Sequence, residues 1–351
     1  MNKISLEVLG SSHSEKVSIK INGLPVGASV DTKELQSFVN RRKASNSNFS
    51  TKRIEPDKII IERGIKAGTI TGEVFASILN TNKRSNDYDE LKYIPRPSHA
   101  EYGAMLKYGI DFDLTGGGRF SGRMTAPLCI AGGIVKQLLR SRHIEILGYV
   151  SKIGPIKLES YDDRKFTTEE LIEVGKKKLP VFNKEEEITE LFTKCQKDKD
   201  SVGGQIDIII RGLKGGIGGE LFDGIEGKLS SYLFGVPSVK AVEFGIGTRF
   251  AESFGSEVND GYRYVDGNVE LTSNNNGGIV GGISTGEDIL IRVTLKPTPS
   301  IAKKQQSINM KTKENVDLEI KGRHDVCHAI RAVAPIEAVC AVGLWNILSE
   351  E

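Results

Sequence analysis

Ile4-Ser-Leu-Glu-Val-Leu9 and Val17-Ser-Ile-Lys-Ile-Asn-Gly-Leu-Pro-Val26 are the runs that decide the fold. Apolar and polar side chains alternate in both, the period of a strand with one face buried and the other wet. Gly10-Ser-Ser-His-Ser14, a short polar loop, lies between them, and Asn22-Gly23 supplies a turn. Outward from this pair, Asp31-Thr-Lys-Glu34 predicts a capped helix running to about Arg42. Further strands are expected at 58–63, 69–79, 205–213 and 289–295. Ile130, Ile134 and Leu138 set a helical spacing within Ala126–Leu139, with Pro127 near its start or at a kink. Ala329–Leu348 reads as a second apolar helix. Strands in clusters, helices between them and hairpin-like turns predict an α+β protein with antiparallel sheets. No repeat or linker divides residues 1–351, which read as a single domain. The Glu/Lys-rich segment at about 160–200 is its variable part, with surface helices at 168–178 and 185–198.

Composition narrows the role. Lys+Arg total 48 against 46 for Asp+Glu, a net charge of +2, too small for a protein that coats nucleic acid. The N-terminus has no apolar run of signal-peptide length, and no stretch approaches the roughly 18 apolar residues that cross a bilayer. A cytoplasmic protein without a membrane partner is expected. Cys129, Cys195, Cys327 and Cys340 lack CxxC spacing and read as reduced thiols. His324 and His328 are spaced like a helical metal face, but no third ligand is near, so no metal is expected. No GxGxxG follows a strand and opens a helix, which disfavours a dinucleotide crossover.

Glycine is over-represented: 39 of 351 residues, where about 7% is typical. Its clusters at 116–118, 215–219 and 277–282 mark places where backbone approaches another strand or a ligand. In Thr115-Gly-Gly-Gly-Arg-Phe-Ser-Gly-Arg123, three glycines can converge their N–H groups on an anion. Arg119 and Arg123 are four apart, and one helical turn would aim both guanidiniums at one phosphate or carboxylate. Lys296-Pro-Thr-Pro-Ser300 follows a strand and offers a lysine and two hydroxyls on stiff backbone. Arg41, Arg42, Lys43 and Arg53 flank a polar Asn/Ser loop at 43–51, read as mobile; they fit a solvated face or an anionic substrate equally. His13 and His99 lie in tight loops and titrate near neutral pH, so each could move a proton. The residues alone stop at an anion-binding enzyme of unknown reaction.

Seven motifs in register go further. Gly10-Ser-Ser-His13, Arg41-Arg42, Arg96-Pro-Ser-His99-Ala-Glu-Tyr and Gly116-Gly-Gly-Arg-Phe-Ser-Gly-Arg123 resemble the chorismate synthase family. So do Gly281-Gly-Ile-Ser-Thr-Gly286, Lys296-Pro-Thr-Pro-Ser300 and Gly322-Arg-His-Asp-Val-Cys327 with Arg331-Ala-Val. The resemblance implies helices sandwiched between antiparallel β-sheets, a homotetramer, and 1,4-elimination of phosphate from 5-enolpyruvylshikimate 3-phosphate. It implies reduced FMN as cofactor, with NADPH as an indirect reductant and, for a chain without large insertions, a separate flavin reductase as partner. Carried over residue by residue, His13 would protonate the departing phosphate. His99 would stabilise the anionic reduced flavin, and Asp325 would relay a proton. Flavin contacts would be Arg119, Phe120, Ser121, Pro237, Ser238, Gly281, Lys296, Pro297, Thr298, Pro299, Ser300 and Arg323. Arg42, Arg123 and Arg331 would face the substrate's phosphate and carboxylates.

This chain departs from the family pattern in several places. Ser-Ser-His-Ser stands where Glu-Ser-His-Gly is usual, Asn48 where Arg is frequent, Phe120 where Ser is common, and Val326 where Pro is. The rival readings are an FMN-dependent oxidoreductase using the same site and a non-catalytic homologue that binds anions.

Overall fold

Alternation in the first two runs produces a hairpin: β1 (Ser5–Leu9) pairs antiparallel with β2 (Lys16–Asn22), Ser5 opposite Asn22 and Leu9 opposite Ser18. Val17, Ile19 and Ile21 point inward and are fully buried. The structure, a computed structural model, describes residues 1–44, 55–81, 92–320 and 324–351. α1 (Thr32–Asn40) begins where expected, because the Asp31 side chain accepts hydrogen bonds from the N–H groups of Lys33 and Glu34. β3 (Ile59–Lys66) and β4 (Thr69–Leu79) complete a four-stranded sheet in the order β1-β2-β4-β3. α2 (Glu101–Tyr108) and α3 (Thr125–Arg140) follow. Pro127 falls in the first turn of α3, where its missing N–H would have had no intrahelical partner.

β5 (Glu145–Ile153) and β6 (Ile156–Lys157) open the second sheet. α4 (Thr168–Lys176) and α5 (Glu185–Lys197) are the helices expected in the charged segment. α4 is more than a surface helix: it lies on β5 and closes a cluster of Tyr149, Phe166 and Leu171. β7 (Gly204–Arg211), α6 (Ile225–Leu233), β8 (Val239–Phe244) and the single turn α7 (Gly255–Val258) come next. Two hairpins, β9 (Tyr262–Val265) with β10 (Asn268–Leu271) and β11 (Ile279–Val280) with β12 (Ile283–Ser284), precede β13 (Ile289–Leu295). The second sheet runs β6-β5-β7-β13-β8, every pairing antiparallel. β14 (Gln305–Asn309) and β15 (Glu314–Leu318) form a third hairpin before α8 (Ala329–Leu348).

Helices lie between the two sheets, as expected. α3 packs on β2 and β4, α8 packs on β5 and β7, and the two helices touch along their length. A Cβ at Gly132 would come within 2.2 Å of the Ala338 Cα, so glycine is what lets the backbones approach. α8 corrects one expectation: by length and hydropathy it could cross a membrane. It is instead the core helix of the sandwich, with 89% of its apolar window buried, and a helix enclosed on all sides is apolar all round.

Candidate active site

The loop that joins β1 to β2 carries His13. Gly10 turns it at φ +92°, and the Ser14 hydroxyl pins it, donating to the Lys16 carbonyl at 2.6 Å and accepting from the Ser11 N–H at 2.9 Å. Asn80, just beyond β4, holds it from below, donating to the Ser14 carbonyl at 2.8 Å. The Ser12 N–H donates to the Gly118 carbonyl at 3.1 Å, which docks the loop on the glycine triplet. Gly116, Gly117 and Gly118 all have positive φ. A Cβ on Gly116 would lie 2.0 Å from His13 Cε1, and one on Gly117 would lie 3.3 Å from His99 Nε2. Both imidazoles therefore rest against consecutive glycines. That contact is what the triplet permits.

His99 is held by its own segment. Arg96 reaches Glu101 in a buried ion pair, donates from Nη1 to Ser300 Oγ at 2.8 Å, and lays Nη2 3.3–3.4 Å from both ring nitrogens of His99. Burial first, then the Arg96 charge and Lys296, push the His99 pKa down to about 4, against the pull of Glu101. A value near 4 favours the neutral ring at pH 7, and the permanent positive charge beside it is that of Arg96. Arg96→Met is expected to raise the His99 pKa toward 6.5, read as the titration of its ring resonances by NMR. A midpoint that stays near 4 would leave burial and Lys296 as the causes.

The arginines divide differently from the expectation. Ser121 is extended (φ −67°, ψ 144°) and breaks the short helical turns at 115–120 and 122–124, so Arg119 and Arg123 do not share a face. Arg119 is exposed and, among the described residues, reaches the Val8 carbonyl at 3.4 Å. Arg123 is buried, as is Arg42, and both clasp the buried Asp57 carboxylate, Arg42 Nη1 at 2.5 Å from Oδ2 and Arg123 on Oδ1. Arg42 also donates to Thr125 Oγ1, and Arg123 Nε to Asn80 Oδ1 at 2.8 Å. Arg331 binds Asp325 at 2.6 Å and the Arg42 carbonyl at 3.0 Å. Arg41 turns the other way, into a buried ion pair with Glu337. Neither Arg41 nor Arg42 belongs to a solvated face, because each meets a buried carboxylate. Arg53, Asn48 and Arg323 lie outside the described residues.

Lys296–Ser300 comes to the same place. Lys296 donates from Nζ to the Ser98 carbonyl and from its backbone to the Ser238 carbonyl at 3.0 Å, which brings Pro237 and Ser238 alongside. Thr298 Oγ1 is 2.9 Å from His328 Nδ1. Burial drives the His328 pKa down to about 4 and lowers that of His324, where the Arg96 charge adds to it. The Nε2 atoms of both rings are buried and have no hydrogen-bond partner among the described residues. Gly281 stands apart. The neighbouring Gly218 N–H bonds Glu351 beyond the C-terminal end of α8, whereas Thr298 touches its N-terminal end. A 20-residue helix is about 30 Å long, so Gly281 does not reach the histidines within one chain. A separate cavity of about 250 Å³ lies by Arg211, Arg249 and Asp288, where these arginines already pair with Asp288 and Asp162.

The model of the chorismate synthase family matches residues 4–348. The chain belongs to the chorismate synthase family. Chorismate synthase from Lancefieldella parvula is 41% identical, over 98% of this chain and 94% of that protein. The Methanocaldococcus jannaschii chorismate synthase is 40% identical over 97% and 93%, and that of Thermococcus gammatolerans 38% over 98% and 96%. A crystal structure of chorismate synthase superposes with a TM-score of 0.76 at 22% identity, covering all of this chain and 93% of that one, which shows the shared fold. Membership makes the chain an enzyme, a lyase of aromatic biosynthesis.

Within this chorismate synthase fold, three supporting residues escaped the sequence reading. Glu101 stood in a run already singled out, two positions after His99, and a carboxylate so near an Arg-x-x-His was a usable signal. Asp57 and Asn80 had none, since their partners lie 15 to 69 positions away.

Proposed function

We propose that this chain removes phosphate from 5-enolpyruvylshikimate 3-phosphate by 1,4-elimination, giving chorismate, with reduced FMN as cofactor and no net redox change. One observation carries the reading: His13 and His99 sit against consecutive glycines, with Arg119 and the Lys296–Ser300 segment around them. The residues fit a flavin. Phe120 and Arg119 offer an exposed aromatic face and a charge, and the buried Nε2 atoms of His324 and His328 await a polar edge. Ser121, Pro237, Ser238, Pro297, Thr298, Pro299 and Ser300 would complete its seat, with Arg323 beyond the described segment. Reduced FMN, when bound, supplies an electron-rich partner that helps an allylic phosphate depart.

The side chains do the rest. His13 donates a proton to the leaving phosphate oxygen. Arg331 meets the substrate's negative groups, with Arg42 and Arg123 behind it. Asp325, held by Arg331, serves as the proton relay. Neutral His99 gains proton affinity when an anion docks beside it, since a nearby negative charge favours the imidazolium. Gly281 serves the flavin of a neighbouring copy, in keeping with a homotetramer. The enzyme is read as cytoplasmic, its flavin reduced by a separate reductase at the expense of NADPH.

Mixing the protein anaerobically with reduced FMN and the enolpyruvyl substrate tests this. Chorismate and phosphate are expected one for one, with only transient change in flavin absorbance. One reductant consumed per product would make it an oxidoreductase, and no product at all a binding homologue.

A further inference from the structure

Asp57 is a carboxylate near the site that no motif pointed to, and both its oxygens are held. It is 1% exposed, and its backbone takes the left-handed region at φ +47°, uncommon for non-glycine residues though more accessible to Asp than to most. Gln36 donates to its carbonyl at 3.0 Å and also accepts from the Ile59 N–H at 2.9 Å, bracing the turn. Its two oxygens go to different guanidiniums, Arg42 on Oδ2 and Arg123 on Oδ1.

Those guanidiniums are wired to the chemistry. Arg123 bonds Asn80, which carries the His13 loop, and the Arg42 carbonyl receives Arg331. Arg331 and Arg123 both bear on Arg42 as like charges, so three cations gather here against the carboxylates of Asp57 and Asp325. Without Asp57, Arg42 and Arg123 would lose the carboxylate they share, and Asp325 would remain on Arg331. Such a cluster would hold a phosphate dianion strongly, and the proposed reaction must let phosphate go.

We propose that Asp57 is a positioning residue that fixes Arg42 and Arg123 and keeps the site's pull on phosphate low enough for release. This rests on the elimination reading above, but its test needs no turnover. Inorganic phosphate is titrated by calorimetry into the wild type and Asp57→Asn. The variant is expected to bind phosphate roughly ten-fold tighter, the scale of one uncompensated charge about 12 Å from a negative charge at an effective dielectric of about 20. Its kcat should fall without a rise in KM, with stronger product inhibition by phosphate. A merely structural role would weaken phosphate binding, and equal or weaker binding overturns the proposal.

Removing a carboxylate from between two guanidiniums can also prevent folding. Asp57→Asn that folds only in phosphate buffer supports the proposal, because phosphate then replaces the lost charge. Failure to fold at saturating phosphate overturns it. Asp57→Asn combined with Arg123→Gln removes one charge of each sign and should return phosphate affinity to the wild-type level. Persistently tight binding in that pair would refute the charge argument. If the wild type makes no chorismate, the elimination reading fails while the affinity comparison still decides the role of Asp57.

Discussion

His13→Ala and His99→Ala are each expected to lower turnover by roughly 10²–10⁴, the range for a positioned proton carrier, and Gly116→Ala should fall nearly as far as His13→Ala. The glycine variant changes no titratable group. Its methyl would sit 2.0 Å from Cε1 and 2.3 Å from Nδ1 of His13, so the ring must leave its place. Backbone strain adds a second cost, since Gly116 has φ +62°, unfavourable for alanine by about 1–2 kcal/mol. A double-mutant cycle separates the two. With His13→Ala already present, the methyl has room, and Gly116→Ala should cost little further activity. Additive losses, or a fully active Gly116→Ala, would mean that the glycine does not seat the imidazole. Chorismate formation is the measurement, with flavin affinity as the control for intact fold.

Glu337→Ala is expected to destabilise the fold by about 3–5 kcal/mol, the scale for breaking a buried ion pair on one side. Glu337 lies on α8, fully buried, with Arg41 on both carboxylate oxygens at 2.7 and 2.8 Å and Lys136 of α3 on Oε2. It also accepts the Gly148 N–H at 2.9 Å. One carboxylate thus ties α1, α3, α8 and β5 together, and its loss strands two buried cations. Denaturant unfolding at pH 7 reads the cost, and a change below about 1 kcal/mol would refute it. Burial alone would raise the Glu337 pKa, but Arg41 and Lys136 outweigh it and hold the group below 4.5. The sign follows from linkage. A depressed carboxylate stabilises the fold above its ordinary value, and that contribution is lost as pH falls through the folded value. Glu337→Gln should lack this part of the acid-side loss. Because Arg41 adjoins Arg42, activity should fall with stability in both variants.

Legibility followed distance along the chain. Ile289–Leu295 and Thr69–Leu79 came out with the bounds their alternation implied, and α1 began at its Asp31 cap. These depend on neighbours a few positions apart. The order β1-β2-β4-β3, and the placing of α3 and α8 between two sheets, depend on pairings across the whole chain. Of these, the family resemblance supplied helices between antiparallel sheets, and neither the strand order nor which helices lie there. The candidate site split along the same line. His13, His99 and Lys296–Ser300 were visible because unusual residues crowd a short run. The partition of Arg119 from Arg123, the clasp on Asp57 and the burial that lowers the His99 pKa were not.

Sequence by itself determined the strands of clear alternation, the long helices, the Asp31 cap and the places where glycine brings backbone close, because these follow from periodicity and local sterics. Only the tertiary structure decided which charges meet. A guanidinium takes its role from the carboxylate that folding sets beside it, and the carboxylates of Asp57 and Glu337 reach theirs across as many as 296 positions of chain.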